Sequence, residues 1–138
     1  MTNKDCIFCK IINKEIPSDI IYEDKDFISI LDINPIKKGH SLIIPKKHSL
    51  NITDFPENKG NSFMKFAKKI SNAIVKSTKA DGFNLAINNG QASGQAVFHT
   101  HFHVIPRHNN DGLSQWPRTQ YKDSEKENLK NKIIKLIS

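Results

Sequence analysis

The chain has 138 residues, of which 37% are hydrophobic and 25% charged, and 21 Lys and Arg against 14 Asp and Glu give a net charge of +7. This composition predicts one folded domain, excludes disorder and collagen-like repeats, and contains no apolar run near the ~18 residues of a membrane span. The N-terminal residues lack the apolar segment of a secretory signal, so we expect a cytoplasmic protein. The basic charge comes from scattered lysines rather than base-reading arginines, so we do not expect a nucleic-acid partner.

The first third of the chain predicts a short helix and three strands. The helix covers residues 6–13 and ends before Pro17, because a proline disfavours helical dihedrals in the residue before it. Runs rich in Ile, Tyr and Phe predict the strands, the first two of which form a hairpin, at residues 19–23, 27–33 and 40–44.

A long helix follows, with Asp54 as its predicted N-cap and Pro56 in its first turn. Apolar residues at helical spacing predict its buried face: Phe63, Phe66, Ala67, Ile70, Ala73 and Ile74. Two more strands are predicted at residues 83–88 and 97–105, separated by a glycine-containing loop over residues 89–95 and ended by Pro106.

The last element is an amphipathic helix for which Ser124 and Glu127 form the predicted capping pair. Its apolar residues are Leu129, Ile133, Leu136 and Ile137. We therefore predict an α+β fold: a five-stranded, mostly antiparallel sheet with one long helix and short N- and C-terminal helices, in a single domain over residues 1–138.

Three histidines alternate with other residues inside the predicted fifth strand. Because strand side chains alternate, His99, His101 and His103 are expected on one face, about 7 Å apart. They could share a catalytic metal, or one could act as a nucleophile while a neighbour handles protons. The second interpretation is favoured, because no carboxylate lies between Asp81 and Asp111 and the preceding loop is rich in amides and glycines that suit a phosphate.

The two cysteines, Cys6 and Cys9, are spaced as C-x-x-C. Two cysteines are too few for a disulfide framework, and no strand precedes them as a thioredoxin-like redox motif requires. The spacing therefore indicates half of a zinc site, which needs two further ligands from elsewhere in the chain.

Residues 97–105 resemble the signature of the histidine-triad (HIT) family, in which His alternates with apolar residues. Residues 6–12, 31–35 and 39–48 resemble, in order and spacing, further blocks of the Hint-like branch of that family. The resemblance covers a core over residues 6–107 and leaves residues 108–138 as a C-terminal extension.

The resemblance implies a nucleotidyl hydrolase or transferase. By position, His101 is the nucleophile that attacks the α-phosphorus of a purine nucleotide conjugate, such as a phosphoramidate or acyl-nucleotide, and His103 contacts the phosphate oxygens. Asp32 would accept hydrogen bonds from the ribose. The resemblance also implies a base slot formed by Phe8, Ile11, Ile30 and Ile33, and a phosphate end formed by Asn88, Gly94, Gln95 and Ala96.

Two other activities remain open for this sequence: a dinucleoside polyphosphate hydrolase, and a nucleotide-binding regulatory protein with little turnover. Two positions depart from the family pattern. Ala96 stands where family members commonly have Ser or Thr, which puts efficiency and leaving-group preference in question, and Thr100 stands where an apolar residue is usual.

The resemblance also implies one structural zinc per chain and a homodimer. In C-x-x-C members the cysteines are joined by histidines that correspond to His48 and His99, while His40 is expected behind the triad. The dimer would join sheets and long helices, and the segment around Trp116 would reach toward the pocket of the partner subunit.

Overall fold

The computed structural model describes residues 3–137, so the predicted outer limits of the domain, residues 1 and 138, lie outside that range. Its strands are β1 (Ile20–Glu23), β2 (Phe27–Leu31), β3 (Ser41–Pro45), β4 (Gly82–Ile87) and β5 (Phe102–Arg107). Its α-helices are α1 (Ile7–Ile12), α2 (Gly60–Thr78) and α3 (Glu125–Ile137). The strands form one antiparallel sheet in the order β1-β2-β3-β5-β4, which confirms the predicted α+β architecture.

The sheet separates two apolar clusters because successive strand residues point to opposite faces. The face covered by α1 buries Cys6, Phe8, Cys9, Ile11, Ile28, Ile30, Leu42 and Ile44. The face covered by α2 buries Phe27, Ile43, Phe66, Ala67, Ile70, Ile74, Phe102 and Val104. The central strands are therefore apolar on both faces. The helix α1, with Cys6 and Cys9, packs on the face opposite to α2.

The fifth strand differs from its predicted range, residues 97–105. β5 begins only at Phe102, because the Thr100 N–H donates to the Ser49 carbonyl outside the sheet, 2.7 Å away. At its other end β5 continues through Pro106. β3 pairs with β5 only as far as Val104, so Pro106 lies where β5 has a single neighbour and the missing N–H leaves no ladder bond unmade.

The prediction that Asp54 caps the long helix is wrong. Pro56 is extended and a single 3-10 turn over Glu57–Lys59 precedes α2, which begins at Gly60. The Asp54 carboxylate instead accepts the N–H groups of Leu50 and Asn51, both at 2.9 Å. On the helix, Ala73 is exposed and Ser71 is buried in addition to the predicted apolar face.

The capping prediction for the last helix is also wrong in detail. Glu125, rather than Glu127, accepts a backbone N–H from Lys122, at 2.8 Å, whereas Glu127 pairs with Lys130 one turn along the helix. No residue of α3 is buried. Across the described helices, none is both long and apolar enough to cross a membrane.

Candidate functional site

Two cysteines and two histidines from three separate segments converge on one point. Cys6 and Cys9 come from the start of α1, His48 follows β3, and His99 precedes β5. The His48 and His99 Nδ1 atoms are 3.1 Å apart, and Cys9 Sγ lies 3.4 Å from His48 Nδ1 and 3.6 Å from His99 Nδ1. Cys6 Sγ is 3.4 Å from His99 Nδ1. All four donor atoms lie within 4.8 Å of one another.

These separations suit a tetrahedral zinc ion. Zinc–nitrogen bonds of about 2.0–2.1 Å and zinc–sulfur bonds of about 2.3 Å place tetrahedral ligand atoms roughly 3.3–3.8 Å apart. The His99 Nε2–H donates to the Pro45 carbonyl, 2.8 Å away, so the neutral ring presents the lone pair of Nδ1 to the cluster. Burial raises the pKa of the Cys9 thiol, so a thiolate there requires a cation beside it. The residues present therefore fit a metal of this kind.

The ring of His101 has one nitrogen occupied and one free. Its Nδ1–H donates to the backbone carbonyl of His99 at 2.7 Å, and Nε2 makes no hydrogen bond within residues 3–137. Phe8 packs its edge against this ring with centroids 5.1 Å apart. Burial lowers the pKa of His101, although the His99 carbonyl and the charge of Asp32 oppose that shift. At neutral pH the ring is a neutral imidazole with an available lone pair on Nε2.

His40 sets the tautomer of His103. The Ile36 N–H donates to His40 Nδ1 at 3.1 Å, so the neutral ring carries its proton on Nε2. That proton is donated to His103 Nδ1 at 2.9 Å, which leaves the His103 proton on Nε2. The His103 Nε2–H is buried and has no partner among the described residues. Burial and the neighbouring imidazoles lower the pKa of His103 to about 4, so it is a neutral donor.

Asp32 lies beside these histidines, with Oδ2 3.6 Å from His40 Nε2 and Oδ1 accepting the N–H of Asn34 at 2.8 Å. Asp32, His40 and His103 bring three possible ligand atoms within 4.8 Å of one another. A metal there would displace the proton from His40 Nε2, because Ile36 occupies the other nitrogen as a donor. The arrangement is therefore a chain of hydrogen bonds rather than a metal site.

A compact loop follows β4 and leads into the histidines. Gly90 and Gly94 have φ angles of 87° and 93°, which only glycine adopts without strain, and one 3-10 turn lies between them. The Asn88 amide makes no hydrogen bond within residues 3–137 and lies near Gly94, whereas the Gln95 amide is 3% exposed and bonded to backbone. Ala96 is exposed. Asn88 is thus free to bind a ligand, and the Gln95 side chain is not.

The predicted base-slot residues divide into two groups. Phe8, Ile11 and Ile30 are at most 7% exposed and belong to the apolar cluster beneath α1. Ile33 is 85% exposed, just after Asp32 in the turn that follows β2. Burial of Phe8, Ile11 and Ile30 is expected of any apolar core and does not by itself indicate a base slot. Ile33 is the member of the set whose exposed side chain can contact a ligand directly.

Two positioning contacts were missed from the sequence. Ile36 acts through its backbone N–H, which no residue type reveals. Ser49 and Thr100 share a hydrogen bond of 2.7 Å between their hydroxyls, both buried. The signal for this pair was Thr100 itself, a polar residue at a position where the pattern is apolar.

The chain matches a family model described as the HIT domain over residues 13–110. It is 50% identical over 109 residues to an adenylylsulfatase of Arabidopsis thaliana, covering 79% of this chain and 55% of that protein. It is 41% identical over 114 residues to an adenosine 5'-monophosphoramidase of Saccharomyces cerevisiae, covering 81% of this chain and 70% of that protein.

Solved structures share the fold. A protein from Streptococcus mutans superposes with a TM-score of 0.91 at 38% identity, covering 99% of this chain and 87% of that one. A zinc-bound histidine triad family protein from Mycobacterium smegmatis superposes with a TM-score of 0.75 at 39% identity, covering 96% of this chain and 95% of that one.

Proposed function

Because this chain belongs to the HIT domain family, we propose that it is a nucleotidyl hydrolase or transferase acting on purine nucleoside phosphoramidates or acyl-nucleotides. The observation that carries the proposal is the pair of tautomers in the site: His101 presents a free Nε2 lone pair, and His103 presents an unpaired Nε2–H. One nitrogen is a nucleophile and the other a donor for a phosphate oxygen. The relatives named for adenylylsulfatase and phosphoramidase activity support the substrate class.

In the first step, His101 Nε2 attacks the α-phosphorus, a phosphorus–nitrogen bond forms, and the bond to the leaving group breaks with its electron pair, which takes up a proton from solvent. The His99 carbonyl, which accepts the Nδ1–H of His101, stabilises the positive charge that the ring acquires. The His103 Nε2–H donates to the phosphoryl oxygens as their charge grows. Water then attacks the phosphorus, the bond between phosphorus and His101 Nε2 breaks with its electron pair on the nitrogen, and one proton of the water passes to solvent. The products are the nucleoside monophosphate and the neutral ring.

Substrate contacts follow the same arrangement. Asp32 accepts hydrogen bonds from the ribose hydroxyls through its half-buried carboxylate, and Ile33 contacts the base beside the apolar cluster of Phe8, Ile11 and Ile30. Asn88, the glycine turn at Gly94 and the backbone N–H of Ala96 meet the phosphate. Ala96 has no hydroxyl to offer the leaving group, so this chain relies on backbone donors at that point.

We propose that Cys6, Cys9, His48 and His99 hold one zinc ion per chain. All four positions of the tetrahedron are filled by protein ligands, so the metal would supply folding energy rather than Lewis-acid chemistry. The zinc-bound relative from Mycobacterium smegmatis supports this choice of metal.

Incubation with adenosine phosphoramidate and with diadenosine polyphosphates tests the function. We expect turnover of the phosphoramidate to release adenosine monophosphate and the amine. Preferential cleavage of the diadenosine polyphosphates would replace the proposal with the dinucleoside polyphosphate hydrolase. Saturable binding of both compounds with no turnover would indicate the regulatory nucleotide-binding protein.

We propose further that the protein is a homodimer formed at the β4 edge of the sheet and along α2. Phe83 and Leu85 on β4 are each 43% exposed, and Met64 on α2 is 55% exposed. The C-terminal arm, residues 113–137, includes α3. Trp116 in this arm is exposed, and no residue of α3 is buried. Leu129, Leu136 and Ile137 of α3 are 45%, 86% and 80% exposed, and the second copy would cover these apolar side chains.

Sedimentation at micromolar concentration is expected to show a species of twice the 15.7 kDa chain mass. Deleting residues 113–138 is expected to change the preference among leaving groups more than the affinity for a bare nucleotide, because Trp116 would lie on the leaving-group side of the partner's pocket. A 15.7 kDa species would contradict the dimer. An unchanged leaving-group preference would show that the arm only packs against the protein and does not shape the pocket.

A single domain over residues 1–138, with its core at 6–107, and a cytoplasmic location remain predictions.

A further inference from the structure

The loop that follows β4 is fastened to residues 50–52 at both of its ends. At one end, the Asn89 side-chain oxygen accepts the Ile52 N–H at 2.9 Å. At the other, the Gln95 side-chain nitrogen donates to the Leu50 carbonyl at 2.6 Å. Two amide side chains therefore hold the loop over residues 89–95 against a second segment that is distant in sequence.

The Gln95 amide is used twice more. Its nitrogen also donates to the Val97 carbonyl at 3.1 Å, and its oxygen accepts the Gly90 N–H at 2.8 Å. A glutamine amide has two N–H donors and one carbonyl oxygen, so both donors are occupied and the oxygen is engaged. With 3% of its surface exposed, Gln95 cannot turn toward a ligand without breaking its hydrogen bonds to three backbone groups, those of Leu50, Gly90 and Val97.

The segment to which Gln95 is fastened is itself held firmly. The Asp54 carboxylate accepts the N–H groups of Leu50 and Asn51, both at 2.9 Å. Ser49 is joined to Thr100 by backbone and hydroxyl hydrogen bonds of 2.7 Å each. Residues 49 and 50 thus contact both the loop and the stretch that leads to His101, so they fix the position of one relative to the other.

We propose that Gln95 is a positioning residue that holds the glycine loop in register with His101, so that the backbone donors around Gly94 and Ala96 meet the phosphate at the point of attack. The inference rests on the proposed function. In it, Gln95 does not contact the ligand itself but holds in place the backbone groups that do. Displacements near 1 Å at such a loop cost about 100-fold in rate. Binding of the nucleoside part through Asp32 does not depend on this loop.

The test is the substitution Gln95→Met, which keeps the length of the side chain and removes all three hydrogen bonds. Gln91→Met is the matched control, because Gln91 is an exposed glutamine of the same loop and its side-chain amide makes no hydrogen bond within residues 3–137. Three quantities are measured for both variants and the parent: kcat with adenosine phosphoramidate per folded molecule, Kd for adenosine and for adenosine monophosphate, and amide hydrogen exchange over residues 89–97.

For Gln95→Met we expect kcat to fall about 100-fold and the affinity for the monophosphate to fall, while the Kd for adenosine stays within about twofold. Exchange at Gly90 rises. Gln91→Met changes none of these. A kcat that stays within about threefold of the parent in a folded variant overturns the proposal, and so does an equal loss of affinity for adenosine and its monophosphate.

The two proposals fail separately. If the parent does not turn over the phosphoramidate, the proposed function fails, yet calorimetry and hydrogen exchange still decide whether Gln95 holds a phosphate-binding loop. Unchanged exchange at Gly90 and unchanged monophosphate binding in Gln95→Met would reject that role without reference to turnover.

Discussion

Replacing His101 with alanine is expected to lower turnover by at least about 10⁴-fold, because the proposed route needs one nitrogen that no other group can supply. Nucleotide affinity is expected to stay within about tenfold, since Asp32 and the loop near Gly94 are untouched. The measurement is a single-turnover assay with a substrate labelled at the α-phosphorus. The parent protein should carry acid-labile label during the reaction, and His101→Ala should carry none.

The matched control is His108→Ala, in which the same side chain is removed away from the site. The His108 Nε2–H donates to the Thr78 carbonyl at the end of α2, 3.0 Å away, so its loss should cost some stability and leave the rate per folded molecule unchanged. A His101→Ala variant that retains a rate near that of the parent would contradict the assignment of the nucleophile. Label found on that variant would point to His103 or another group.

Cys6→Ser is expected to reduce bound zinc from about one ion per chain to a small fraction and to lower the free energy of unfolding by several kcal/mol. Structural zinc contributes on the order of 10 kcal/mol to small zinc-binding folds. Here the cluster joins α1 to His48, which follows β3, and to His99, which precedes β5. Elemental analysis and denaturant unfolding measure the two effects. The rate per folded molecule is expected to fall less than the stability.

Some loss of rate is nonetheless expected in Cys6→Ser, because His99 serves both parts of the site. Its ring nitrogen faces the cysteines and its backbone carbonyl accepts the Nδ1–H of His101. His108→Ala again serves as the control and should retain full zinc content. If a chelator stops chemistry at once in a protein that remains folded, the metal is catalytic and the closed site is wrong.

The element order could be predicted from the sequence because each element buries one face and shows the matching period. Residues 27–31 and 41–45 are apolar almost throughout, and both strands prove buried on both faces. The histidine alternation and the C-x-x-C spacing likewise selected side chains that the structure brings together, since residue type and spacing are local properties. The N-cap at Asp54 was predicted wrongly because its carboxylate has a partner four residues back, which local spacing does not distinguish from a helix start.

The sequence by itself determined the α+β fold class and selected the residues capable of nucleophilic and metal-binding chemistry. Only the tertiary structure decided which nitrogen of each ring is free. That choice depends on the Ile36 N–H at His40 and the carbonyls of Pro45 and His99. These are backbone groups, so residue type does not reveal where they point, and Pro45 lies 54 residues from His99. Only the tertiary structure, too, separated the free amide of Asn88 from the saturated amide of Gln95, because one of the three backbone groups bound to Gln95, the Leu50 carbonyl, lies 45 residues away.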